Sequence, residues 1–236
     1  MNAPIIHRPG AIPLGVGYYT VPEAARLLKT SAINIRRWLG GYTYREGDKV
    51  HAVAPLWTPL LPAFDNHLEL SFRDLIELRF VNEFIKAGLG LKTIRHCLDY
   101  ARKCVNDSHP FSTRRFRTDG RTIFLESAHK TGEPDLLDLK RHQYAIKQVI
   151  ERSFKDLDIA DDAVSRWRPL NGKASVVIDP TRAFGQPIAS KSGVPTVALS
   201  EAVEAEGSID HVAMLFTTPA SVVRDAVRFE KQLLAA

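Results

Sequence analysis

Cysteine is scarce in this 236-residue chain. There are two, Cys97 and Cys104, seven positions apart on one expected helix. That spacing separates their Cα atoms by about 10 Å at a helical rise of 1.5 Å per residue. A disulfide between them would require the helix to break, so reduced thiols in a cytoplasm are the simpler expectation. No apolar run approaches the ~20 residues of a membrane-spanning helix. The opening MNAPIIHRPGAIPLG lacks the charged start and unbroken apolar segment of a secretory signal, and a cytoplasmic protein with no membrane partner is expected. There is no Gly-rich phosphate loop ending in Lys-Ser/Thr and no nucleophile elbow. His96, Cys97, Cys104 and His109 match no familiar structural metal spacing. Asp161-Asp162 fall in an expected polar link, where nothing gathers the further carboxylates a metal-dependent nuclease needs. No catalysis, no metal and no cofactor are expected.

Acidic residues are missing from one stretch in particular. None lies between Glu23 and Glu46, while Arg26, Lys29, Arg36, Arg37 and Arg45 fall inside it. The whole chain is ordinary for a globular protein, with 44% hydrophobic and 25% charged residues and a formal net charge of +5. Its charge is unevenly spread. Residues 1–125 hold 18 Lys and Arg against 11 Asp and Glu, and residues 126–236 hold 14 against 16. A polyanion partner suits the first half, and protein contacts suit the second.

The acid-free stretch sits in TVPEAARLLKTSAINIRRWLGG, residues 20–41, which predicts two short helices and a tight turn. Thr20 and Glu23 form a capping box, Pro22 occupies the first turn, and Val21, Ala24, Ala25 and Leu28 make one apolar stripe. Thr30 and Ser31 break the first helix, and Ser31 caps the second. Ala32, Ile35 and Leu39 face inward there, leaving Asn34, Arg36 and Arg37 outward, and Gly40-Gly41 ends it. This is the pattern of a helix-turn-helix whose second helix enters a major groove; a solvated helical hairpin is the plainer alternative. Asn and Arg make the bidentate contacts to adenine and guanine edges. Tyr42 and Tyr44, the turn Glu46-Gly47-Asp48, and Val50–Val53 then predict a hairpin, with Arg45 and Lys49 near its tip in reach of phosphates.

A Pro-rich connection with Trp57 follows, expected to pack through its aromatic. Ser71, supported by Asp74, opens a helix with Phe72, Leu75, Ile76, Phe80 and Phe84 on its apolar face. It stops at Gly88-Leu89-Gly90, and Leu91, Ile94, Leu98 and Ala101 mark another. In FSTRRFRTDGRTIFLE, residues 111–126, Asp119-Gly120 signals a two-residue hairpin, ringed by Arg114, Arg115, Arg117 and Arg121. That hairpin either contacts phosphates or is a basic sheet edge that resists aggregation. Leu137 to about Leu157 predicts a longer helix with Ile146, Val149, Ile150 and Phe154 on its apolar side, and 156–169 a polar link. A strand at 174–178, a loop, and helices over 197–206, 209–216 and 219–234 close the chain. The expected division is an arm at 1–17, a DNA-binding domain at 18–108, a hairpin and connecting helix at 109–170, and a tri-helical domain at 171–236.

Two resemblances attach to these residues. Thr20–Leu39, the hairpin and SFRDLIELRFVNEFIKAGLGLKTIRHCL resemble a winged helix of the MerR type. Ile35-Arg36-Arg37-Trp38 falls where that family carries Leu-Arg-Tyr-Tyr, which implies that Arg36 touches DNA. The chain departs from the family in the Pro- and Trp-containing insertion and in having no long coiled-coil helix directly after the winged domain. The later strand, Asp179-Pro180, Phe184-Gly185-Gln186-Pro187, Gly193-Val194-Pro195-Thr196 and three helices are similar to the small DUF-class tri-helical domain of bacterial antitoxins. The layout as a whole resembles the larger VapB-type antitoxins, over residues 18–105 and 174–234.

The fold class expected is mainly α with short β-hairpins, a MerR-like winged helix-turn-helix followed by a small tri-helical domain. The function the resemblance implies is a DNA-binding antitoxin that neutralises a ribonuclease-like protein toxin and autoregulates its own operon. Asn34, Arg36 and Arg37 would read bases, and Lys29, Thr30, Ser31, Arg45 and Lys49 would complete the duplex contact. A homodimer on a palindromic site is expected, since one short helix gives too few base contacts alone. The alternative is a MerR-like transcription regulator with a ligand-sensing C-terminal domain.

Overall fold

The computed structural model describes residues 15–65, 67–131 and 139–235, with backbone alone at 128–131 and 139–143. Residues 1–14 of the expected arm at 1–17 and the expected helix start at Leu137 lie outside the described residues. Most of the described chain is helical, with a few short hairpins. Strand β1 (Tyr19–Thr20) leads into α1 (Val21–Leu28) and α2 (Ala32–Gly40), and β2 (Tyr42–Glu46) turns directly into β3 (Lys49–Val53). After the Pro-rich connection come β4 (Glu69–Leu70), which pairs with β1, then α3 (Phe72–Lys86) and α4 (Leu91–Val105).

α3 is the centre of the molecule because both its faces are buried and its polar residues are all engaged. Phe80 and Phe84 join Phe111, Phe116, Phe124 and Phe154 in one aromatic cluster, with ring centroids 4.6–6.3 Å apart, a range in which tilted rings attract. The Asp74 carboxylate, fully buried, accepts from Trp57 Nε1 and His109 Nε2 at 2.8 Å, from the Ser71 N–H at 2.9 Å and from the Leu60 N–H at 3.2 Å. Trp57 therefore packs as expected, and its indole fastens the Pro-rich connection to α3. Arg73 holds Asp107 and the His109 carbonyl at 2.9 Å, and Arg79 holds the Ser153 carbonyl at 2.8 Å and Asp156 at 2.7 Å.

Two expectations fail. Residues 111–126 are not a hairpin: after a 3-10 turn at Pro110–Ser112, α5 (Arg114–Thr131) is one continuous helix. The Thr113 hydroxyl starts it by accepting from the Phe116 N–H at 3.1 Å. Phe116, Gly120, Ile123, Phe124 and Ser127 then recur at helical spacing and are all buried. Tertiary packing of that face overrides the Asp-Gly turn signal. Gly120 serves a different purpose, since a Cβ there would lie 3.1 Å from Ile150 Cδ1 on α6 (Leu139–Phe154). Ile146, Val149, Ile150 and Phe154 do face the core.

Nor is 156–169 a polar link. β5 (Leu157–Ala160) and β6 (Ala163–Trp167) form a hairpin whose turn residues Asp161 and Asp162 both have positive φ, 47° and 69°, as a two-residue turn of the primed type requires. They continue into β7 (Val176–Ile178) and β8 (Pro187–Ala189), giving a four-stranded antiparallel sheet in sequence order. The three expected helices follow as α7 (Thr196–Glu206), α8 (Ile209–Leu215) and α9 (Ala220–Leu234), around Ala189, Leu199, Val212, Val223 and Ala226. This unit meets the first through Tyr19, whose hydroxyl donates to the Gly185 carbonyl at 2.7 Å, and through Leu27, which packs on the cluster containing Phe229.

Burial sets two carboxyl groups of α3 in opposite directions. At Asp74 burial favours the neutral acid, but hydrogen bonds from His109 and Ser71 outweigh it and hold the carboxyl below the ordinary range. Among the described residues Glu77 accepts the Ser112 N–H at 2.8 Å and its second oxygen has no partner. Its burial pushes the pKa up to about 8, against the opposing pull of Ser112 and Arg73. A raised folded-state pKa means stability that is complete below the unfolded value of 4.5 and is lost as pH climbs through about 8. Thermal melts across that window should show the loss in the native chain, and Glu77→Gln should flatten it; an unchanged slope would mean that Glu77 is not the titrating group.

Candidate nucleic-acid interface

The helix pair is built by local rules. The Thr20 hydroxyl accepts from the Glu23 N–H and Glu23 answers at the Thr20 N–H at 2.8 Å, completing the capping box. α1 ends at Lys29, which adopts the left-handed conformation at φ 51° and frees the chain to turn. Ser31 Oγ accepts from the Asn34 N–H at 3.1 Å and starts α2. A long-range bond from α3 helps to fix the pair: Asn82 Nδ2 donates to the Leu28 carbonyl at 2.9 Å. Ile35 and Leu39 are buried as the pattern requires, and Trp38, which the apolar stripe omitted, is buried with them.

Asn34, Arg36 and Arg37 are all exposed on the other side of α2. Among the described residues Arg36 meets no carboxylate, whereas the Arg37 guanidinium lies 4.1 Å over the Tyr42 ring. Such a contact contributes about 0.5–1 kcal/mol at an exposed site, and here it orients the arginine. Thr30 and Ser31 are turn builders: Thr30 Oγ1 accepts from Asn34 Nδ2 at 3.4 Å and Ser31 caps the helix. Lys29 is exposed at the turn.

The hairpin joins this surface through one face only. Its register pairs Tyr42 with Val53, Tyr44 with His51 and Glu46 with Lys49, and directly paired residues share a face. Tyr42, Tyr44, His51 and Lys49 therefore lie on the side of Arg37, with Tyr44 and His51 stacked at 5.1 Å. Arg45, paired with Val50, projects from the opposite face. The two cations grouped by the sequence are thus not brought together, and Lys49 is the one that extends the surface of α2. Tyr44 and His51 were missed by reading charge alone; the period-2 alternation carries the signal for them. Ile33, 65% exposed at the start of α2, also faces outward.

Three bonds set the hairpin's exit. Arg95 donates to the Ala54 and Pro55 carbonyls at 2.7 Å, and Arg102 to the Leu56 carbonyl at 2.9 Å. The metal candidates are dispersed: Cys97 is buried 3.0 Å from Ser127 Oγ, and His109 belongs to Asp74. Both cysteines are free thiols. Among the described residues no helix is long and apolar enough to cross a membrane.

Comparison with known proteins places this surface within recognised sequence. Residues 17–98, which carry α1, α2, the hairpin, α3 and half of α4, match a family described as "Putative DNA-binding HTH domain". Over 223 residues the chain is 29% identical to a Mycobacterium tuberculosis (strain H37Rv) protein named "Putative antitoxin VapB45", covering 90% of this chain and 93% of that one. The crystal structure of Rv2018 from Mycobacterium tuberculosis superposes with a TM-score of 0.72 at 27% identity, over 92% of this chain and all of that one.

The junction between α2 and the hairpin depends on Gly41, at φ 71° and ψ −179°, a region essentially confined to glycine. A Cβ there would stand 2.5 Å from the Val53 carbonyl oxygen. Gly41→Ala should lower unfolding stability by about 1–3 kcal/mol in a denaturant titration. A change within about 0.5 kcal/mol, the usual span of a neutral surface substitution, would show that the hairpin is not positioned by this residue.

Proposed function

We propose that the chain is the DNA-binding antitoxin of a toxin–antitoxin pair. α2 enters the major groove of its own operator with Asn34, Arg36 and Arg37 on base edges, the hairpin serves as a wing in the MerR manner, and Lys29 and Lys49 neutralise phosphates. A homodimer reads a two-fold site, and the unit containing α7, α8 and α9 holds a protein toxin of ribonuclease-like chemistry. The observation that carries the reading is the acid-free outer face of α2, fixed by two caps and extended by the Arg37–Tyr42 contact. The likeness to the mycobacterial relative over nearly the whole chain supports the antitoxin half.

A second reading has one observation in its favour. A cavity of about 290 Å³ lies between α1 and α9, lined by Tyr18, Glu23, Arg26, Leu27, Glu230 and Leu233 among others, where a regulator would hold a small effector. A ligand that raises the melting temperature of the isolated chain would favour this regulator. A stable stoichiometric complex with a neighbouring gene's product, toxic when expressed alone, would favour the antitoxin.

Binding of a duplex from its own promoter, followed by fluorescence anisotropy, tests the interface. Arg36→Ala and Arg37→Ala should each weaken it by about 1–3 kcal/mol, with affinity falling steeply as salt rises. Full affinity in both variants would remove α2 from the interface.

A further inference from the structure

We propose that the groove between α5 and α6 is a second polyanion surface, one that takes the sugar-phosphate backbone of nucleic acid without regard to sequence. The groove has a volume of about 380 Å³ and is lined by Arg117 from α5 and by Ile150, Glu151, Arg152, Phe154 and Lys155 from the end of α6 and the residue beyond it. Arg121 lies one turn further along α5 on the side of Arg117. All four cations are exposed, and among the described residues none has an ion-pair partner. The carboxylates nearby are already engaged: Glu151 with Lys147 at 3.7 Å, Asp119 with Arg115 at 3.8 Å, and Asp156 with Arg79 at 2.7 Å.

Helix stability does not account for this charge. Arginines at 114, 115 and 117 open α5, and its first turn holds no acid. Cations at a helix N-terminus oppose the macrodipole and work against the helix. Asp162 and Asp119 answer Arg114 and Arg115 at 3.2 and 3.8 Å, but among the described residues no carboxylate answers Arg117, to which the partial positive charge of the α5 N-terminus adds. The close approach of α5 and α6 at Gly120 and Ile150 brings cations more than thirty residues apart in sequence onto one surface. Ile150 and Phe154 are themselves buried, so what the groove presents to a partner is the charged ends of Arg117, Arg152 and Lys155 on their aliphatic stems. That suits a flexible phosphate backbone better than a folded protein surface, whose stable interfaces have an apolar centre.

The test uses the full chain carrying Arg36→Ala and Arg37→Ala, with a fluorescent duplex of unrelated sequence as probe. Residual, salt-dependent binding is expected. Adding Arg117→Glu with Arg152→Glu should lower it about tenfold or more at low salt and reduce the slope of log affinity against log salt by about two. The Gln pair at the same positions should do so to a smaller degree, with the melting temperature of each variant confirming that it folds. Unchanged affinity and slope would overturn the proposal. So would equal competition by poly-glutamate of matching charge, which would assign the groove to an acidic protein, or displacement of the duplex by inorganic phosphate alone, which would make it a small-anion site. A native chain that failed to prefer its own operator would bear on α2 and leave this measurement intact.

Discussion

The buried carboxylate of Asp74 is the interaction on which the arrangement of the first two-thirds of the chain depends. A charged group without water must be surrounded by donors or it will not stay charged. Here the donors come from Trp57, Leu60, Ser71 and His109, four positions that have no other reason to meet. The acid therefore gathers the Pro-rich connection, the start of α3 and the segment before α5 round one point. Neighbouring residues of α3 extend the same logic, with Arg73 fixing 107–112, Arg79 fixing the end of α6, and Asn82 fixing the end of α1.

This central helix explains how so short a helix as α2 is held. α2 has nine residues, too few to be stable alone in water. It is restrained at its base by Ile35, Trp38 and Leu39, at its start through the Leu28–Asn82 bond, and at its end by Gly41 and the bond from the Leu56 N–H to the Trp38 carbonyl at 2.7 Å. These restraints lie on its inner side, while on the outer side Asn34 meets Thr30 and Arg37 meets Tyr42.

Much of the helix pair is legible in the sequence, because caps, a helical stripe and a tight turn are set by residues within four positions of each other. The hairpin at 42–53 is legible for the same reason. What escapes is decided at a distance. Asp119-Gly120 carries the signal of a turn, yet the glycine is there for the approach of Ile150. Asp161-Asp162 lacks the glycine of a familiar hairpin turn, so β5 and β6 pass for a link. Arg45 and Lys49 look like one cluster until the strand register separates them, and Arg37 shows no partner until Tyr42 is folded back over it. The arginines at 114–121 stand out in the sequence as a cluster, but nothing local shows that Arg152 and Lys155 join Arg117 at one groove.

α1 belongs to two bodies at once. One side rests on α3, while Leu27 and the preceding Tyr19 engage Phe229 and Gly185 of the C-terminal unit. α2 follows α1 after a three-residue turn, so there is little slack between them. A load placed on α9 would therefore reach α2 through α1, and a restraint on α2 would oppose it by the same free energy.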